Sequence, residues 1–219
     1  MADSVIHHSP LQHHFDTPAQ QSEASALGMW VFLVTEVMFF GGMFTGYTIY
    51  RRMYPDAFAS TSHFMNVALG GINTAVLISS SLTMALAVRS AQLGRRKELI
   101  VLLVCTLALG LVFLGIKGVE YHEKWTDHHI PGPGFHYEDV RYAHEAQILF
   151  FLYFAMTGMH ALHMIVGVGL LTALIAMAWR KRFSAEWYTP VDMIGLYWHF
   201  VDIIWIFLFP LLYLIGHAR

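Results

Sequence analysis

The chain has 219 residues, of which 56% are hydrophobic and 13% charged, and its formal net charge is −2. Soluble domains carry nearer a quarter charged residues, so an ordinary soluble fold is excluded, and without a basic tail nucleic acid is not an expected partner. The single cysteine, Cys105, excludes an internal disulfide and any metal centre that needs two thiolates from this chain.

Residues 1–26 read as a polar, His-rich tail, and residues 27–219 as one membrane domain. The tail lacks a positive start followed by a short apolar stretch, so no cleavable signal peptide is expected. His7, His8, His13 and His14 are expected to be solvated rather than to capture a metal. The first apolar block, 27–50, contains one acid, Glu36, and the pair Gly42 and Gly46, whose spacing predicts a close helix contact. The second, 67–88, has no charge; at ~1.5 Å per residue it is ~33 Å long, about one hydrocarbon core. Its small residues, Gly70, Gly71, Ser79, Ser80 and Ser81, also predict close packing. A third block, 99–119, carries Lys117 near its end, where the side chain is expected to snorkel towards the headgroups, with Glu120 just beyond. The long loop 121–146 contains Pro131-Gly132-Pro133-Gly134, which no helix survives, and His122, His128, His129, His136 and His144. The fourth block, 147–178, is longer than a bilayer core and must tilt or project. The fifth is 191–216. Five spans without alternation predict an all-α membrane bundle rather than a barrel.

Lys and Arg set the expected orientation. Arg89, Arg95, Arg96, Lys97, Arg180, Lys181 and Arg182 flank one side; Arg51, Arg52, Lys124, Arg141 and Arg219 flank the other. Seven against five places the N-terminus in the cytoplasm and the C-terminus outside.

Polar groups inside spans must find partners in protein. For Glu36 two readings stand open: a proton-handling, lipid-facing acid, or a carboxyl hydrogen-bonded to a neighbouring helix. His160 and His163 lie three apart on one helix, and Trp198, His199, Asp202 and Trp205 occupy adjoining positions of another. Haem ligation by histidines from two helices competes with interhelical hydrogen bonding, which the small number of intramembrane histidines favours. A proton-coupled carrier built around Glu36 would want paired half-repeats and broken helices, and the sequence has neither. No Cys-x-x-Cys-His, phosphate-binding loop or dinucleotide glycine pattern is present.

Taken in order, several segments resemble the cytochrome c oxidase subunit III family: Thr35-Glu36-Val37-Met38-Phe39-Phe40-Gly41-Gly42, Asn73-Thr74-Ala75-Val76, Gly118-Val119-Glu120-Tyr121, Thr157-Gly158-Met159-His160-Ala161-Leu162-His163, and Tyr197-Trp198-His199-Phe200-Val201-Asp202. The resemblance covers residues 27–216 and fits the short, five-helix bacterial form, as if the first two helices of the long form were missing. It implies a cofactor-free subunit of a proton-pumping oxidase of aerobic respiration, with haem and copper in partner subunits I and II and bound phospholipid, and leaves room for a larger respiratory supercomplex. Glu36 would be the membrane acid, and Glu120, His160, His163, His199 and Asp202 would fix helix packing. Arg89, Arg95, Arg96 and Arg180 are candidates for lipid phosphates, since guanidinium groups near headgroups attract them. A glutamate at position 36 is similar to the cytochrome c branch; quinol oxidases and nitric-oxide-reductase-associated proteins share the short form.

Overall fold

The computed structural model describes residues 11–62, 65–127, 130–132 and 142–214. Those residues are almost entirely helical. In chain order the helices are α1 Pro18–Met53, α2 Pro55–Ser62, α3 Val67–Gln92, α4 Arg96–Thr126, α5 Ala143–Trp179 and α6 Thr189–Phe209, the last continued by a π-helical turn, Pro210–Leu214. Five are long and apolar enough to cross a membrane, α6 counted with its π turn. The chain is a multi-pass membrane protein. His7, His8, His128, His129, His136, Arg141, Arg219 and the C-terminus lie outside the described residues.

The spans agree with the apolar blocks, but the helices run past them because lipid selects apolar residues whereas hydrogen-bonded turns continue into water. The clearest case is α1, which starts nine residues before the first block. Thr17 caps it, its Oγ1 accepting from Gln20 N at 3.1 Å, and Pro18 follows at a position where a missing N–H costs nothing. Residues 18–26 of the expected tail are therefore helix. At the other end α2 packs under the bundle, with Ala57, Phe58 and Thr61 buried.

Helices α3 to α6 form the core. The α3–α4 connection is tight: Gly94, at φ 68°, lets Arg95 N reach Ser90 O at 2.9 Å, closing the helix end. The end of α5 uses the same device with a lysine, Lys181 at φ 56° and Arg182 N bonding Met177 O at 3.1 Å. Arg96 then ties the two connections together, its Nε and Nη2 donating to Ala178 O at 2.8 Å and Trp179 O at 2.6 Å. The seven basic residues of the expected cytoplasmic side thus gather at one end of the bundle. Gly110 and Gly167 hold the core close: a Cβ on either would lie 2.8 Å from the Trp198 ring. Gly42 and Gly46 behave otherwise. A Cβ there would meet nothing within 4 Å, so the expected close contact at that pair is not made within this chain. Helix α1 is the loosest span, with 6% of its most apolar window buried against 50% for α6.

Candidate functional site

Near the α2 end, Lys117 does not snorkel. Its side chain is 4% exposed and Glu120's 1%, and the two bond at 2.9 Å one turn apart on α4. The ammonium has three donors, and the second and third reach Tyr213 Oη at 2.7 Å and Tyr153 Oη at 3.3 Å. Both phenols donate in turn to Glu120 Oε1, Tyr153 at 2.8 Å. The π turn after α6 brings Tyr213 in. Pro210 at its head has no N–H to give the helical ladder, which widens there. Lys117 Nζ also stands 4.8 Å from the centre of the Trp205 ring. Every donor and acceptor of this knot is engaged inside the protein, as a buried ion pair requires. Sequence reasoning named Glu120 but missed Tyr153 and Tyr213; the available signal was a Lys and a Glu three apart at a span end, with one tyrosine on the next span and another at the end of the span after it.

Glu36 sits in a different setting. From the middle of α1 its Oε2 lies 3.1 Å from Nε2 of His163 on α5, with side chains 20% and 15% exposed. The other ring nitrogen, Nδ1, lies 2.9 Å from Met159 O. A carbonyl can only accept, so Nδ1 carries a hydrogen. If the ring is neutral, Nε2 is bare and Glu36 must donate as the carboxylic acid; if Glu36 is ionised, the ring must be doubly protonated. Either way the pair holds one shared proton and no net charge. Tyr197 closes one flank, its hydroxyl donating to His163 O at 2.9 Å, and Phe40 packs on the imidazole.

His160, three residues earlier, turns the other way. It is 1% exposed and lies between the rings of Phe113 on α4 and Trp205 on α6, at 5.5 and 5.3 Å between centres. His199 faces α3, with Nδ1 2.7 Å from Ser81 Oγ. It belongs to an antiparallel seam in which Trp198 Nε1 donates to Ser80 Oγ at 2.8 Å and Trp205 Nε1 to Thr74 Oγ1 at 3.1 Å. The three intramembrane histidines therefore point into three different seams, which does not suit haem ligation by two of them. Among the described residues no group of three or more His, Cys, Asp or Glu is arranged to hold a metal ion. Asp202, 2% exposed, lies on the α3–α6 seam with neither carboxyl oxygen hydrogen-bonded; Asn73 and His160 are likewise buried without hydrogen-bond partners.

Of the candidate phosphate-binding arginines, Arg96 is occupied in capping α5, and Arg95 makes a loose, exposed pair with Glu98 at 3.4 Å. Arg89 and Arg180 are exposed at the same end of the bundle.

The family model for cytochrome c oxidase subunit III matches residues 4–217. The chain is 32% identical over 208 residues to cytochrome c oxidase subunit 3 of Thermostichus vulcanus, an alignment covering 91% of this chain and 92% of that one. It is 28% identical over 204 residues to cytochrome bo(3) ubiquinol oxidase subunit 3 of Pseudomonas aeruginosa, with 93% and 91% covered. With cytochrome c oxidase subunit 3 of Latimeria chalumnae the identity is 30% over 226 residues, covering 95% of this chain and 76% of that one.

Proposed function

The chain belongs to the cytochrome c oxidase subunit III family, and from that membership we propose that it is the non-catalytic, cofactor-free third subunit of a proton-pumping haem–copper oxidase in a bacterial cytoplasmic membrane. Haem and copper belong to partner subunits I and II. This subunit supports assembly, holds lipids and sustains proton uptake, with its N-terminus in the cytoplasm and its C-terminus outside. Arg89 and Arg180, exposed at the basic end, hold lipid phosphates there, with Arg95 and Arg96 beside them.

The observation that carries the reading is the Glu36–His163 pair. An acid on the loosest, most lipid-facing helix holds a proton jointly with an imidazole, where a purely structural bond needs no titratable partner on either side. Such a pair can lose or regain its proton without leaving the membrane. The remaining polar groups, Glu120, His160, His199 and Asp202, fix how the helices pack.

Cytochrome c is the electron donor in this reading. A quinol is the second possibility, favoured by the resemblance to the ubiquinol oxidase subunit of Pseudomonas aeruginosa across nearly its whole length. Purification of the native complex decides both points: subunits I and II should accompany this chain, and the complex should oxidise reduced cytochrome c rather than a quinol. A chain that purifies alone, with a Soret band of its own, would overturn the proposal.

A further inference from the structure

Helix α5 carries polar side chains at one-turn intervals on its way from the Glu36–His163 pair to the α2 end of the bundle. His163, His160, Thr157 and Tyr153 follow one another at steps of about 4.5–6 Å along the helix axis. Nδ1 of His163 points back to Met159 O, in the turn that holds His160. Thr157 donates to Tyr153 O at 2.7 Å, so its oxygen accepts from Tyr121 Oη of α4 at 2.6 Å. Tyr121 is half-buried near the end of its span, and Tyr153 enters the Lys117–Glu120 knot.

Among the described residues the other side of the pair is different. Towards the basic end the buried stripe of α5 is Met164, Gly167, Leu171 and Leu174, and α1 packs Met29, Phe32 and Leu33 against the core. None of these has a group that passes a proton. Tyr197 of α6 lies there, but its hydroxyl is committed to His163 O at 2.9 Å. His160 stands out within the column. A neutral imidazole has one N–H and one bare nitrogen, and neither nitrogen of His160 finds a protein partner, although the ring is buried between Phe113 and Trp205. For packing alone that is a costly choice, where a phenylalanine would serve. For passing a proton in at one nitrogen and out at the other, imidazole is the suitable side chain. A gap of one turn is spanned by one water molecule bonded to the polar groups on either side. Of the other titratable groups nearby, Lys117 of α4 acts on His160 but is held by Glu120, and α3 has only Arg89, at the basic end.

We propose that the polar column of α5 is a proton relay, which joins the Glu36–His163 pair to the α2 end of the bundle while the basic end stays sealed. The relay rests on the reading of that pair as proton-holding. When the pair gives up its proton, Glu36 passes it to Nε2 of His163, and Nδ1 releases its own hydrogen from Met159 O towards His160. The pair is left as a carboxylate accepting from Nε2–H. His160 takes the proton at one nitrogen and frees the hydrogen of the other. The hydroxyls of Thr157 and Tyr121 then hand it on, each station ending with as many hydrogens as it began. In the proposed orientation the α2 end faces outward, the side to which a pump delivers protons, so the charge of the pair follows the pH that turnover creates.

Labelling of Glu36 by a hydrophobic carbodiimide in native membrane vesicles tests the relay, because the reagent activates a carboxyl only in its protonated form. With the pH of each face set separately, labelling should fall as the face at the α2 end is made alkaline and stay constant when the face at the basic end is. His160→Phe keeps a ring of similar size between Phe113 and Trp205 and should abolish that dependence while thermal unfolding stays near the parent's. Thr157→Val keeps the shape and removes only the hydroxyl, and it should slow the response of labelling to a pH jump by about tenfold or more; it carries the test alone if His160→Phe does not fold. Dependence on the pH of the basic-end face, or of neither face, would overturn the relay and leave the proton-holding pair standing. So would an unchanged response in the variants that fold. Glu36 unlabelled at every pH would remove the proton-holding pair, and the relay with it.

Discussion

Glu120 and Glu36 both lie inside apolar helices and both meet a basic side chain at hydrogen-bond distance, yet their surroundings are opposite. Glu120 is sealed: Lys117, Tyr153 and Tyr213 use every polar atom it offers, and its side chain is 1% exposed. Glu36 is half-open, on the helix that buries least of itself, and its partner is the imidazole of His163. Lys117 has all three donors satisfied, whereas Glu36 has the single partner His163, for which we propose a proton-holding role. The same two chemical elements, an acid and a base inside apolar helices, thus make a clamp in one place and, in the proposed reading, a proton-holding pair in another. Burial and the choice of base decide which.

The sharpest way to break this contrast is to remove one half of the clamp. Glu120→Leu leaves a buried ammonium without its anion and should cost about 3–5 kcal/mol, seen as a large drop in thermal stability or in yield of the assembled protein. Adding Lys117→Met should recover much of that loss, because an apolar pair of similar volume fills the space without an unpaired charge. If Glu120→Leu unfolds like the parent, the knot is not a clamp.

A second contrast lies in the glycines. Gly167→Ala would drive a Cβ to 2.8 Å from the Trp198 ring and should cost about 1–3 kcal/mol as the indole is displaced from Ser80. Gly42→Ala meets nothing within 4 Å and should be neutral, or stabilising by up to about 1 kcal/mol through helix propensity. Equal effects in unfolding measurements would show that α1 is as tightly held as the core.

The smallest effect is expected at Glu36 itself. Glu36→Gln keeps a hydrogen bond to His163 and should change stability by no more than about 1 kcal/mol. The whole oxidase should instead show slower or less durable proton uptake over repeated turnovers, with electron transfer preserved. A large loss of folded protein would make Glu36 a packing residue like Glu120.

The sequence made the spans legible because some twenty consecutive apolar residues have few alternatives to crossing a bilayer. It concealed their ends, since Thr17 and Pro18 start α1 in a region too polar to look like membrane helix. Single-residue chemistry marked Glu36, His163 and Asp202 as unusual, but their partners lie far away in sequence: 127 residues separate Glu36 from His163, and 93 separate Glu120 from Tyr213. Only the packing of α1 on α5, and of the π turn against α4, brings these groups together. Lys117 shows the limit most clearly. Near the end of a span a lysine can equally snorkel to the surface or turn inward, and what turns it inward is the pair of tyrosines supplied by α5 and the end of α6.

The difference between the sealed and the half-open acid is read most directly by a hydrophobic carbodiimide, which partitions into lipid and activates a carboxyl that carries its proton. In intact membranes, mass spectrometry should find the label on Glu36, absent from Glu120, and lost in Glu36→Gln while the fold persists. Label on Glu120 with Glu36 unmodified, or no label on either, would contradict the assignment of Glu36 as the accessible, proton-holding acid of this subunit.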